Sequence, residues 1–291
     1  TTPGGSGGPT QYADGTPATF KDYFYNEYGQ DAFAEGEMDI LTAYYLDKSA
    51  DPTFPAKLES YNLLNLKQSE NILDIGCGTG FDVIQMAKVK AGVGKVFGLD
   101  IDPKFIAIAN EAKEKSGLKN IEFLVGSAEE LPFKDNELDA VRLERVLQHL
   151  KSPELVWKEI KRVLKPGGTL VIVETDWKGL SFYTPRFEIS DKLIDFLVHK
   201  RLNNGMASRK IVSEMVQYGF EELSLEVVPI LIPNYALADM FIKIGGLATV
   251  AVENKVIAHD QFEEWKISFD MVEQSKTPIG LLNMFVTKAT L

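Results

Sequence analysis

Ten residues, Asn71 to Gly80 (Asn-Ile-Leu-Asp-Ile-Gly-Cys-Gly-Thr-Gly), constrain the fold of this chain more than any other stretch. A short apolar strand ends beside an acid, three glycines follow at alternate positions, and Phe81 to Lys90 reads as a helix with Val83, Ile84, Met86 and Ala87 on its apolar side. Glycine takes backbone angles closed to other residues and leaves room for a ligand to approach. Strand, glycine turn and helix form the unit that binds nucleotide-like ligands at the carboxyl edge of a parallel sheet. The dinucleotide fingerprint G-x-G-x-x-G would need glycine at position 81, where Phe81 stands. The pattern is instead Asp74-x-Gly76-x-Gly78-x-Gly80. A tight turn without a ligand is the plain alternative at this point.

Composition narrows the classes. With 291 residues, 45% hydrophobic and 25% charged, the chain suits one large α/β domain with insertions. A formal net charge of −11 argues against nucleic acid or an anionic membrane as the main partner, because both select clustered Lys and Arg. No apolar run reaches the roughly 18 residues of a membrane span. The single cysteine, Cys77, excludes a disulfide framework. The chain begins at Thr1 and shows no signal peptide, so a cytoplasmic enzyme is the expectation. Neither CxxC, HExxH nor a Ser-His-Asp order occurs, and no metal site is expected.

Along the chain, residues 1–17 read as a flexible tail and 18–66 as a helical lid. The lid stretch Phe20 to Tyr45 is dense in aromatics, among them Tyr23, Tyr25 and Tyr28, and Leu58 to Leu66 should be a helix leading into the first strand. A second strand, Lys95 to Leu99, ends at Asp100, 20 residues beyond Gly80, the separation expected of a carboxylate that accepts from ribose hydroxyls. Asp102-Pro103 starts a helix and Gly117 ends it. Further strands are read at Ile121–Val125, Leu138–Leu143 and Thr169–Glu174, with Ser152-Pro153 capping the helix between the last two. Helices follow at Phe187–Leu202 and Ser208–Tyr218, a strand at Leu223–Ile232, a mostly helical apolar stretch at Ala236–Glu273, and a last strand at Leu282–Lys288.

Four motifs stand in order: the glycine loop, Gly126-Ser127-Ala128-Glu129-Glu130-Leu131-Pro132-Phe133, Arg142 to Leu150, and Leu164-Lys165-Pro166-Gly167-Gly168-Thr169-Leu170. Together they resemble the class I S-adenosylmethionine (SAM) methyltransferases, with the flavour of the UbiE-type quinone C-methyltransferases, over about the middle third of the chain. The resemblance implies a doubly wound, Rossmann-like, seven-stranded α/β sheet, mostly parallel with the last strand antiparallel. Residues 67–291 would form this domain, with helical cap insertions at about 179–206 and 235–278. It also implies SAM as cofactor and S-adenosylhomocysteine as product. Asp74, Gly76, Cys77, Gly78 and Gly80 would face the methionine and ribose, and Asp100 with Ile101 the ribose side. Ser127, Ala128 and Glu129 would take the adenine, with Ser127 standing where the family usually carries Asp. Leu143 and Glu144 would border the methionine end, and Tyr25 would close over it.

In that reading the activated methyl passes by in-line displacement to an O, N or C nucleophile of a small, largely apolar metabolite. Alignment supplies roughly 7–11 kcal/mol of such a barrier, and a base is needed only if the acceptor must lose a proton. The base candidates are His149, Glu144 and Asp176, each of which could equally be structural; His199 and His259 read as solvated or structural. A homodimer through the cap is allowed and nothing requires it. Two rivals stand beside methyl transfer: a SAM-binding enzyme of the same fold with a non-methylating reaction, and a non-catalytic SAM-binding protein.

Overall fold

The computed structural model describes residues 53–64, 71–89 and 94–291. The tail, most of the expected lid, and Tyr23, Tyr25 and Tyr28 lie outside the described residues. The first described helix, α1, spans Phe54–Leu63. It begins earlier than the sequence suggested, with Pro55 in its first turn, where a missing N–H costs nothing.

The sheet is built from β1 (Asn71–Ile75), β2 (Lys95–Asp100), β3 (Ile121–Val125), β4 (Leu138–Glu144), β5 (Leu164–Thr175), a two-residue β6 (Ser181–Phe182), β7 (Glu221–Ile232) and β8 (Gly280–Thr290). Its order is β3-β2-β1-β4-β5-β8, with β7 and β6 both paired to β8. Pairs among β1 to β5 are parallel, and all three pairings of β8 are antiparallel. The seven strands expected are all present, and the short β6 makes an eighth. It arises where the chain leaves β5 and briefly rejoins β8 at Ser181–Leu281.

Helices cover both faces because β1, β4 and β5 are apolar on both sides, the mark of a buried parallel sheet. Against one face lie α1, α2 (Phe81–Val89) and α3 (Pro103–Ser116), with Ile72, Val83, Ile84, Ile106 and Val173 in one core cluster. Against the other lie α4 (Pro153–Val163) and α6 (Ala207–Gln217), with Leu73, Ile75, Leu143, Trp157 and Ile172 in a second. Helix α4 shows why: Val156, Trp157, Ile160 and Val163 recur at helical spacing and are buried, while Glu154 and Lys158 face out. Ser152 sits at its N-cap position, but the side chain makes no capping bond.

The insertions differ in detail from expectation. Helix α5 (Phe187–Phe196) gives way to a wider turn over Leu197–Arg201, closed by a bond from the Leu202 N–H to the Leu197 carbonyl. Gly205 returns so close to that turn that a Cβ there would lie 2.2 Å from the Val198 carbonyl oxygen. The second insertion is three helices: α7 (Tyr235–Ile242), α8 (Ile244–Glu253) and α9 (His259–Gln274). Lys243, in the left-handed region at φ 56°, breaks the first from the second. Much of their apolar content joins the core cluster of the α1–α3 face, where Trp265 meets Phe269 at 4.8 Å and Phe182 at 5.9 Å. The Trp265 indole N–H donates to Ser190 of α5 at 2.8 Å, which ties the two insertions together. Among the described residues, no helix is long and apolar enough to cross a membrane.

Candidate functional site

Strand order reverses between β1 and β4, and a crevice opens at the carboxyl ends of such neighbours. The loop after β1 and the turn after β4 meet there: a Cβ on Gly76 would fall 2.5 Å from Val146 Cγ2. Gly76 has φ 71° and is exposed, and its N–H donates to the Leu99 carbonyl at 2.7 Å. Gly78 has φ 54° and, among the described residues, nothing lies within 4 Å of where its Cβ would stand, so the loop presents bare backbone there. Gly80, at φ 83°, is closed instead: its Cβ would lie 2.5 Å from Phe123 and 2.9 Å from Ala109. Gly80→Ala is therefore expected to cost about 2–3 kcal/mol from overpacking and left-handed backbone, read as a lower denaturant midpoint. An unchanged midpoint would show that β3 yields freely.

Asp100 ends β2 with its carboxylate aimed back at the loop. Oδ2 accepts from the Gly78 N–H at 2.9 Å and Oδ1 from the Asp102 N–H at 2.9 Å. Each oxygen keeps a second acceptor position. Beside it Ile101 is 73% exposed, a large apolar side chain offered to solvent at the crevice rim. At the end of β3, the Ser127 hydroxyl accepts from the Glu129 N–H at 3.1 Å, so it shapes its own turn and retains its proton to donate. Glu129 is exposed and Ala128 half-buried. Cys77 is buried, and burial with the nearby Asp74 and Asp100 charges pushes its thiol far up, so it remains protonated. Leu143 is completely buried in the sheet core.

Asp74 and Glu144 belong to an ion cluster between the sheet and α1. Arg142, with no exposed surface, donates through Nη1 to Asp74 at 2.9 Å, through Nε to the Ser60 hydroxyl at 2.9 Å, and through Nη2 to Glu144. Lys57 of α1 donates to Asp82 at 2.9 Å and to both Glu144 oxygens at 2.8 Å, and the Tyr61 hydroxyl donates to Asp82. Burial alone would raise Glu144, but Lys57, Arg142 and Arg145 outweigh it and hold the carboxylate well below its usual range. Burial alone would lower Lys57, yet Asp82 and Glu144 keep it above its ordinary value. Asp74 is different: burial outweighs Arg142 and pushes it up to about 6. Glu144, saturated by cations, is a fixed charge and a poor proton acceptor.

His149 and Asp176 lie further along the edge. The short helical turn Leu147–His149 carries His149 exposed, its Nε2 3.0 Å from the Gln148 amide nitrogen, an arrangement in which the ring nitrogen accepts. Partial burial and the Arg145 charge lower its pKa, which keeps the ring neutral. Asp176 is buried and takes a two-pronged bond from Arg209 of α6, Nε at 2.8 Å and Nη2 at 3.1 Å. The structure thus brings Gly76, Gly78 and Asp100 together at the ends of β1 and β2, buries Asp74 and Glu144 in the ion cluster beneath them, and sets His149 and Asp176 in a neighbouring polar group with Gln148, Trp177 and Arg209.

Sequence reasoning did not single out Lys57, Tyr61, Asp82, Arg142 or Glu174. A signal existed for two of them: Arg142 and Glu174 each interrupt an apolar run in a central strand, and a charge in such a place is paired or neutral. Among the described residues, no group of three His, Cys, Asp or Glu side chains is placed to hold a metal ion.

Comparison with known proteins agrees with this fold. A family model described as a methyltransferase domain matches residues 66–223, more than half of the chain. A 37.1 kDa uncharacterised protein of a transposon in Streptomyces fradiae is 32% identical over 191 residues, covering 65% of this chain and 53% of that protein. The demethylmenaquinone methyltransferase of Lactococcus lactis is 40% identical over 119 residues, 41% of this chain and 47% of the enzyme. The chain spans about half the length of these curated relatives. A candidate methyltransferase of Bacillus halodurans, solved by crystallography, superposes with a TM-score of 0.56 at 20% identity, over 81% of this chain and 98% of that one.

Proposed function

The chain belongs to the methyltransferase-domain family, and on that premise we propose that it transfers a methyl group from SAM to an O, N or C nucleophile of a small, largely apolar metabolite. The observation that carries the reading is the crevice itself: bare, left-handed glycine backbone at Gly76 and Gly78 beside the Asp100 carboxylate. The residues fit the cofactor. Gly78 leaves the space a ligand needs, Asp100 has acceptor positions for a pair of ribose hydroxyls, and Ile101 offers an apolar face beside them. The Ser127-Ala128 turn stands at the neighbouring strand end, where its main-chain N–H and the Ser127 hydroxyl would serve a purine edge. When bound, SAM supplies a methyl group already activated by its sulfonium.

What the chain itself contributes is alignment and charge. The Lys57–Asp82–Glu144–Arg142–Asp74 cluster holds α1 against the crevice and fixes the charges beneath it without offering a base. His149 is neutral and exposed, and is the group at this edge able to take a proton from an acceptor. Asp176 is committed to Arg209 and acts by holding α6 to the end of β5. Much of the insertions' apolar content is used in packing, so the apolar character of the acceptor rests on what stays outside it, such as the exposed Ile267 and Met271 of α9, and a homodimer through the insertions is compatible with the same residues. The test is mass spectrometry of apolar phenols, quinols and amines incubated with protein and SAM. A gain of one CH2 with matching S-adenosylhomocysteine supports the reading. SAM-dependent conversion without a mass gain would establish a different reaction on the same site.

A further inference from the structure

Glu174 has no part in the reading above, yet it sits at the same edge. It lies near the carboxyl end of β5, opposite Phe285 of β8, on the face covered by α4 and α6, and has no exposed surface. Its Oε1 accepts from the Gln148 N–H at 3.4 Å, and the Leu147 N–H also favours its charged form. Its Oε2 is buried and has no hydrogen-bond partner among the described residues. Burying a carboxyl group is costly, and α4 and α6 would pack as well on an apolar side chain. The cost is matched by what it holds.

The turn above Glu174 is fixed from every side. Arg145 is held in the left-handed region at φ 54°, and its N–H donates to Val173 at 2.8 Å. Gln148 receives the Trp177 indole N–H and gives its amide to the Arg145 carbonyl at 3.3 Å. Asn203 donates to the His149 carbonyl at 2.7 Å, and the Asn204 N–H to the Gln148 carbonyl at 3.0 Å. A left-handed arginine persists only where its surroundings over-determine it, and such strain gathers at functional sites. Resting on the proposed methyltransferase reading, we propose that Glu174 is a positioning residue: its buried carboxyl group anchors the Arg145–His149 turn through main-chain N–H groups and so sets one wall of the cofactor crevice.

Of the charged groups, Arg145 on the turn acts on it; His149 ends the same turn, Asp176 stands two residues on with Arg209 of α6 as its partner, and Phe285 across the sheet is uncharged. Burial, opposed by the main-chain bonds and Arg145, pushes Glu174 up to about 8. It is therefore a neutral acid at neutral pH. Folding takes up a proton at Glu174 between 4.5 and about 8, so its contribution to stability falls as pH rises through that window.

The test uses the full chain, with Glu174→Gln and Glu174→Ala, read by amide NMR of Gln148 and by calorimetry with S-adenosylhomocysteine. Glu174→Ala should expose the Leu147 and Gln148 amides to exchange, leave those of α4 and α6 protected, and weaken binding by roughly tenfold, the scale of one lost buried hydrogen bond. Glu174→Gln, which keeps the acceptor, should restore protection and bring affinity back to within about threefold. Its melting temperature should also gain on wild type as pH rises from 4.5 toward 8. If Glu174→Ala does not fold, the Gln148 amide shift of the wild type decides: it should titrate near pH 8 and be flat in Glu174→Gln. An unmoved Gln148 amide and unchanged affinity in Glu174→Ala, or no titration in the wild type, would overturn the anchor. Absence of S-adenosylhomocysteine binding by wild type would overturn the function reading, while the amide signal still judges the anchor.

Discussion

Replacing Arg142 with alanine is expected to lower the free energy of unfolding by about 3–5 kcal/mol, the cost of leaving buried charges without their partner. The guanidinium serves Asp74, Ser60 and Glu144 at once and comes within 3.7 Å of Asp82. Its removal leaves Asp74, Asp82 and Glu144 with Lys57 as their buried cation and Arg145 at the edge beside Glu144. A domain is stable by only about 5–15 kcal/mol, so this one change removes a large share. Arg142→Lys should recover only part of the loss, because an ammonium is a point donor and cannot span three partners as a planar fork does. The deficit should shrink in acid. Asp74 already sits near 6, above its ordinary 3.8, and loses an opposing charge when Arg142 goes. Its folded-state pKa then rises further, so the penalty grows as pH rises above about 6, where Asp74 ionises in the wild type but stays protonated in the variant, and it is relieved below that pH, where both hold the proton. Urea melts at neutral and acid pH measure both effects. A loss under about 1 kcal/mol would mean that the cluster is dispensable, as a solvent-screened set of ion pairs would be.

The parts of this fold legible in the sequence were those governed by local rules. The Asp102 cap accepting from the Lys104 N–H, the Gly117 end of α3 at φ 69°, and the bounds of β3 all follow from neighbours in the chain. The glycine loop was readable for the same reason, since its spacing alone fixes where bare backbone meets the strand end. The ion cluster was not. Lys57 and Glu144 lie 87 residues apart, and Arg142 and Ser60 lie 82 apart, so only the packing of α1 over β4 brings them together. Asp176 illustrates the other limit: at the end of β5 it reads as a base candidate or a helix cap, and its partner Arg209 lies 33 residues on in a different helix. The insertions were legible as helical and apolar, but not in how they divide, because apolar content does not say whether a side chain faces a ligand or, like Trp265, another helix.

The central claim is that the crevice between β1, β2 and β4 binds SAM through Asp100. If so, Asp100→Ala should weaken binding of SAM and S-adenosylhomocysteine by about a hundredfold, since charge-assisted bonds contribute about 1.5–3 kcal/mol each. Some of that loss is indirect, because the same carboxylate holds the Gly78 and Asp102 N–H groups and so shapes the loop. A melting curve alongside separates a loosened loop from a destabilised fold. The measurement is calorimetric titration of the wild type and of Asp100→Ala with both ligands. Micromolar binding by the wild type that collapses in the variant is the result expected; wild-type binding that survives loss of Asp100, or no binding at millimolar ligand, would contradict the account.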